Sequence, residues 1–91
     1  MNNIQRLHRF CDLLQDDGYV LESSQIRDWV ETLSDPAKAH LESMSLDFVR
    51  LLGIGLAAAV IEERSATGVR NAIAKVLGQF KADYLNVHVV I

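Results

Sequence analysis

The sequence predicts an all-α fold, a compact bundle of four to five helices around a central apolar helix at about residues 46–64. First, residues 51–61 contain no polar side chain, and this run exceeds the roughly four to eight residues of a buried strand. Second, apolar residues recur at helical spacing along the rest of the chain. Third, a chain of 91 residues matches one domain, so residues 1–91 are interpreted as a single helical domain.

The central helix is apolar on two opposite sides. Gly53 and Gly55 each cost about 1 kcal/mol relative to Ala in a helix, so we expect them to admit close neighbours. A helix that is apolar all round is normally buried all round. A membrane span needs about 20 apolar residues, whereas charges bound this run, so no span is expected. The two predicted ridges are Val49, Leu52, Leu56 and Val60, and opposite them Leu51, Ile54 and Ile61.

A first helix is predicted over residues 3–16, where apolar side chains follow a helical period. Asn2 or Asn3 is expected to cap its start. Gly18 follows it and suits the left-handed conformation that often ends a helix. Residues 19–21 are apolar and partly β-branched, which favours a loop packed on the core or one brief strand.

The second and third helices are separated by a clear stop signal. The second is predicted from a serine cap at 23–24 to about Leu33. Asp35 fits the N-cap of the third helix and Pro36 its first position. A break near 43–45 is expected to separate the third helix from the central one, although an unbroken helix is the alternative.

The C-terminal part is predicted to hold one more helix and a non-helical end. The central helix should end near Arg64 or Ser65, and Thr67 should cap a helix over 68–83. Alternation and β-branching over 85–91 favour a strand, which would pair with 19–21 or with the same segment of a second copy. A non-helical tail on the core is the alternative.

The charge balance argues against a nucleic-acid partner. The net charge is −3, the sequence pI is about 5.5, and nucleic-acid binding domains usually carry a basic patch. Cys11 is the only cysteine, which excludes an intramolecular disulfide and fits a reducing compartment. The N-terminus shows no apolar core of signal-peptide length. We therefore expect a cytoplasmic protein.

Few side chains offer chemistry. His8 and Cys11 share a helix face, and with Asp12 or His88 they would make a zinc site or an activated thiol. Because Cys11 lies on the apolar stripe, a buried structural thiol is the preferred interpretation. We expect neither a metal nor another cofactor, and we do not expect an enzyme.

Residues 25–44 have the outline of a DNA-binding helix-turn-helix. Its second helix would offer Lys38 and His40 to DNA, but it also carries Asp35 and Glu42. Phosphate contacts depend on Lys and Arg. A plain antiparallel helix pair is preferred, and DNA binding is kept as the alternative function.

These observations predict a small acidic module that binds another protein stoichiometrically, as an inhibitor, immunity or antitoxin-like protein, adaptor or chaperone-type regulator. A homodimer is a further expectation, because few helices are available to cover the central one. The candidate partner-binding residues are acidic side chains of the first half of the chain: Asp16, Asp17, Glu22, Asp28 and Glu31.

Overall fold

The computed structural model describes residues 1–86, which form five α-helices and a final π-helical turn and contain no β-strand. The prediction of an all-α bundle is confirmed. The elements are α1 (Asn3–Asp16), α2 (Val20–Thr32), α3 (Asp35–Ser43), α4 (Leu46–Glu62), α5 (Ala66–Phe80) and the π turn (Lys81–Leu85).

The helices enclose one apolar core. α1 packs against α2, α3 and α4, and α5 packs against α2 and α4. The best-buried large side chains are aliphatic and come from four helices. Trp29 lies at the edge of the core, where its ring meets Phe80 edge-on at 6.5 Å between centroids. The fully buried aliphatic residues include Ile26, Val30, Leu41, Leu52, Leu56 and Ile73.

The start of α1 and the end of α3 cap each other. The Asn3 side chain, buried at 4 % exposure, donates from Nδ2 to the carbonyls of Leu41 at 2.8 Å and Met44 at 2.9 Å. In return, Glu42 Oε1 accepts from the backbone N–H of Ile4 at 2.6 Å. Helix ends leave unpaired N–H and C=O groups that need partners when buried. This exchange supplies them for both helices and fixes α3 against α1.

Asn2, rather than Asn3, caps α1. Its side chain accepts from the Gln5 backbone N–H at 2.8 Å, and the Gln5 side chain accepts from the Asn2 N–H at 2.9 Å. This is a capping box, in which two orphan donors are satisfied reciprocally. Gly18 has a φ of 94°, as the left-handed prediction requires.

The expected loop or strand at 19–21 is wrong, because α2 begins at Val20. The Tyr19 N–H donates to the Leu14 carbonyl at 2.9 Å, so the chain reverses tightly after Gly18 and leaves no extended segment. Ser23, proposed as a cap, is instead buried inside the helix at 1 % exposure. The start of α2 is therefore set by the turn before it and not by a serine.

Two other N-caps lie earlier than predicted. Ser34 caps α3, since its Oγ accepts from the Ala37 N–H at 3.2 Å, and Asp35 is the first helical residue. Ser65, not Thr67, caps α5. In each case a serine one or two positions before the predicted residue takes the cap. The break expected at 43–45 is confirmed, because α3 and α4 meet at a bend of 107°.

The end of the described chain is helical where a strand was expected to begin. α5 ends at Phe80 and passes directly into the π turn, whose last residue, Leu85, is buried in the core. The strand predicted over 85–91 is therefore wrong at its first residue. Its remainder, 87–91, lies outside the described residues.

The reciprocal cap generates a prediction with a matched control in the neighbouring residue. We expect Asn3→Asp to lower the free energy of unfolding by about 1–3 kcal/mol, because a carboxylate cannot donate to the α3 carbonyls. Asn2→Asp should be nearly neutral, since aspartate caps helices about as well as asparagine. Urea unfolding followed by circular dichroism measures both. Equal losses in the two variants would contradict the assigned roles.

Candidate protein-binding surface on α4

One side of α4 is buried in the bundle. This side matches the first ridge that the sequence predicts, with Val60 half-buried at its end. Its contacts come from α1 and α5. The buried residues of α4 are Val49, Leu52, Leu56 and Ala59.

The opposite ridge is exposed. Leu51, Ile54 and Ile61 expose 56 %, 66 % and 80 % of their surface. The helices of one chain therefore do not bury α4 on all sides. Since α2 packs on α1 and α5, and α3 packs on α1, neither is left to cover this ridge. We call the stripe formed by the exposed Leu51, Ile54 and Ile61 and the half-buried Ala58 the α4 face.

Neighbouring elements extend the α4 face at both ends. Leu13 of α1, 56 % exposed, lies with Ile61 around one shallow groove. Tyr84 of the π turn lies with Leu51 around another. The Tyr84 ring is held by Phe48 and Phe80, at 5.2 and 5.1 Å between centroids. Large contiguous apolar patches on soluble proteins usually mark interaction sites.

Charged side chains border the α4 face at its two ends. Asp47 and Arg50 are exposed at the N-terminal end, with 3.9 Å between Oδ1 and Nη1. Glu62 and Glu63 are exposed at the C-terminal end. An apolar centre with a charged rim is the usual layout of a protein–protein interface.

The two glycines of α4 have different neighbours. A Cβ on Gly55 would meet Val76 Cγ1 of α5 at 3.0 Å, so this glycine allows α5 to approach. A Cβ on Gly53 would have no described atom within 4 Å. The expected packing reason therefore holds for Gly55 and is absent for Gly53 within residues 1–86.

The predicted acidic residues do not form one surface. Asp16 lines a groove of α1 with Arg9, whereas Asp28 faces Arg70 across the groove between α2 and α5. Glu22 is buried at 7 % exposure, so it is a poor contact for a partner. Of the remaining residues, Asp17 lies near the Ile61 end of the α4 face, and Glu31 is exposed on α2.

In the pair considered for metal or thiol chemistry, Cys11 is buried and His8 is hydrogen-bonded to Arg27. Burial raises the pKa of the Cys11 thiol, although the nearby Arg27 charge opposes this, and Cys11 is 1 % exposed. Arg27 Nη1 donates to His8 Nδ1 at 2.8 Å, and the same guanidinium pairs with Asp12. Within residues 1–86, no three His, Cys, Asp or Glu side chains cluster as metal ligands do. His88, the other expected ligand, lies outside the described residues.

The helix-turn-helix segment is tied into the fold by its second helix. Ala37 and Leu41 are buried, and the Glu42 carboxylate is engaged by α1. Lys38, its single lysine, is half-buried. These contacts describe a packed structural helix, and DNA binding stays an untested alternative.

Length and apolarity do not qualify any single helix of residues 1–86 as a membrane span. Only α3 and α4 taken together pass that test, and they are bent by 107°.

Comparison of the chain with models of known families, with curated proteins and with solved structures found no match.

The α4 glycines make a matched pair. We expect Gly53→Ala to raise the free energy of unfolding by about 0.5–1 kcal/mol, because alanine favours helix and the methyl group meets nothing. Gly55→Ala should gain less or lose stability, because Val76 must move. Thermal unfolding of both variants beside the wild type measures the order. A larger gain for Gly55→Ala would show that the α4–α5 contact is wrongly described.

Burial of Cys11 predicts a slow thiol and a specific pH dependence. The native protein should react with a thiol reagent far more slowly than the urea-unfolded chain. Because burial raises the native pKa of Cys11 above that of an exposed thiol, the native state keeps its proton when the unfolded thiol begins to ionise. The stabilising contribution is thus complete below the unfolded pKa and falls as pH rises towards the folded pKa.

The pH effect is measured as the difference in unfolding free energy between wild type and Cys11→Ala. This difference should be constant at neutral pH and shrink at alkaline pH. A native thiol that reacts as quickly as the unfolded one would contradict the burial.

Proposed function

We propose that this chain is a protein-protein interaction module that works by stoichiometric binding and not by catalysis, with the α4 face as its contact surface. The observation that carries the proposal is the exposed ridge of Leu51, Ile54 and Ile61 on a helix whose other side is anchored in the core. Fully burying such a side chain is worth about 1.5–3 kcal/mol. A partner that covers the ridge recovers the share of this free energy that belongs to the exposed 56–80 % of each side chain.

The electrostatic setting also supports a protein partner. The chain carries a net charge of −3, which disfavours phosphate backbones. The two side chains considered for catalysis are engaged in the fold. Cys11 is buried, and His8 accepts a hydrogen bond from Arg27. A cytoplasmic location is part of the proposal, because a single buried thiol suits a reducing compartment.

The test places a photo-crosslinking amino acid at position 54 of the full chain. Irradiation in a lysate of the source cells should link it to a protein, to be identified by mass spectrometry. The same probe at Leu21 is the control, because Leu21 on α2 is 63 % exposed and lies apart from the α4 face. The identified protein is then purified and titrated.

Support requires saturable binding at fixed stoichiometry that Ile54→Glu abolishes and Leu21→Glu preserves. Crosslinking at position 54 that never exceeds the Leu21 background would overturn the proposal. So would binding that is indifferent to Ile54→Glu.

A further inference from the structure

We propose that the occupant of the α4 face is the same face of a second copy, with the two α4 helices paired antiparallel about a twofold axis. This inference rests on the proposed function of the α4 face and names its partner. It concerns the surface, direction and register of association, which the sequence alone left open.

The spacing of the α4 face suits self-pairing. Its residues, Leu51, Ile54, Ala58 and Ile61, are separated by three, four and three positions, the spacing of a coiled-coil seam. Antiparallel pairing centred midway between Ile54 and Ala58 sets Leu51 opposite Ile61 of the partner subunit. It also sets Ile54 opposite Ala58 of the partner subunit. A large side chain then meets a small one on both sides of the centre, which lets the helices approach closely.

The charges at the rim select the antiparallel direction. Arg50 and Glu62 lie equally far from the centre of the α4 face, at its opposite ends. An antiparallel pair therefore brings Arg50 to the same level along the helix axis as Glu62 of the partner subunit, on opposite edges of the seam, so the attraction acts between the helix ends and not as a direct ion pair. A parallel pair would place Glu62 and Glu63 at the same level as their own copies, and the two acidic ends would repel each other. Antiparallel pairing also sets these carboxylates near the positive N-terminal end of the partner helix.

Twofold symmetry also makes use of the residues beside the stripe. Leu13 borders the α4 face near Ile61, and Tyr84 borders it near Leu51. Antiparallel pairing sets the Leu51 end of one copy on the Ile61 end of the other. Leu13 and Tyr84 of each subunit therefore both lie at the edge of the paired helices. An isologous contact of this kind is closed and does not grow into filaments.

Light scattering and sedimentation equilibrium of the purified full chain test the association. We expect twice the chain mass in the micromolar range. Ile54→Glu should give the monomer mass with an unchanged helical circular dichroism spectrum. Leu21→Glu should remain dimeric, because its starting exposure of 63 % is close to the 66 % of Ile54 but it lies on another helix. A monomeric wild type would overturn the inference.

Cysteine crosslinking tests the direction and register. Leu51→Cys and Ile61→Cys chains are prepared separately, mixed and oxidised. Antiparallel pairing predicts a mixed disulfide between positions 51 and 61 of the two copies. In that arrangement, two copies of position 51 are about 15 Å apart along the axis, beyond the roughly 4.4–6.8 Å between Cα atoms that a disulfide spans. Disulfides between identical positions in place of the mixed product would overturn the inference.

The outcomes separate this inference from the proposed function. A monomer that still binds another protein through Ile54 rejects the second copy and keeps the module. The protein could also be a monomer in which the thiol of an Ile54→Cys variant is protected from a labelling reagent. That result would show that another part of the same chain covers the α4 face, and it would reject pairing with a second copy. A dimer with the mixed disulfide supports both statements.

Discussion

The mutual capping of α1 and α3 is the constraint on which the arrangement of the bundle depends. Asn3 and Glu42 are far apart in sequence, yet each satisfies backbone groups of the other's helix. Because buried backbone groups without partners are costly, this exchange fixes the C-terminal end of α3 on the N-terminal end of α1. The chain leaves that junction at 107° to α3, and α4 consequently runs along one side of the bundle. The exposure of one α4 ridge follows from this route.

Much of the fold could be predicted from the sequence because apolar spacing reports directly on helices. Helical periodicity located all five helices, and Gly18 and the break before α4 were recognised from local chemistry. Helix starts were less predictable where several polar residues compete, as at Ser34 and Asp35. There the choice depends on the direction of the incoming chain, which is a tertiary property.

The candidate surface could not be predicted for a different reason. The sequence shows that α4 is apolar on two sides, but the number of helices that reach each side is set by packing. α1 and α5 both contact the Leu52 and Leu56 side, and this leaves Leu51, Ile54 and Ile61 exposed. The acidic residues chosen from the sequence were identified by charge alone. The hydrogen bonds that Asn3 and Glu42 exchange between α1 and α3 could not be predicted from the sequence either. Asparagine and glutamate are both common at exposed helix ends, so neither residue type indicates a buried contact.

Because α4 has a buried side and an exposed side, substitutions on the two sides are expected to have different effects. Changes at Leu52 or Leu56 alter the core and are judged by whether the chain folds. Changes at the exposed Ile54 or Ile61 leave the core packing untouched, so under the proposed function their effect is on binding. Under the proposed function, the exposed side can be redesigned, residue by residue, to change affinity or partner on an unaltered scaffold.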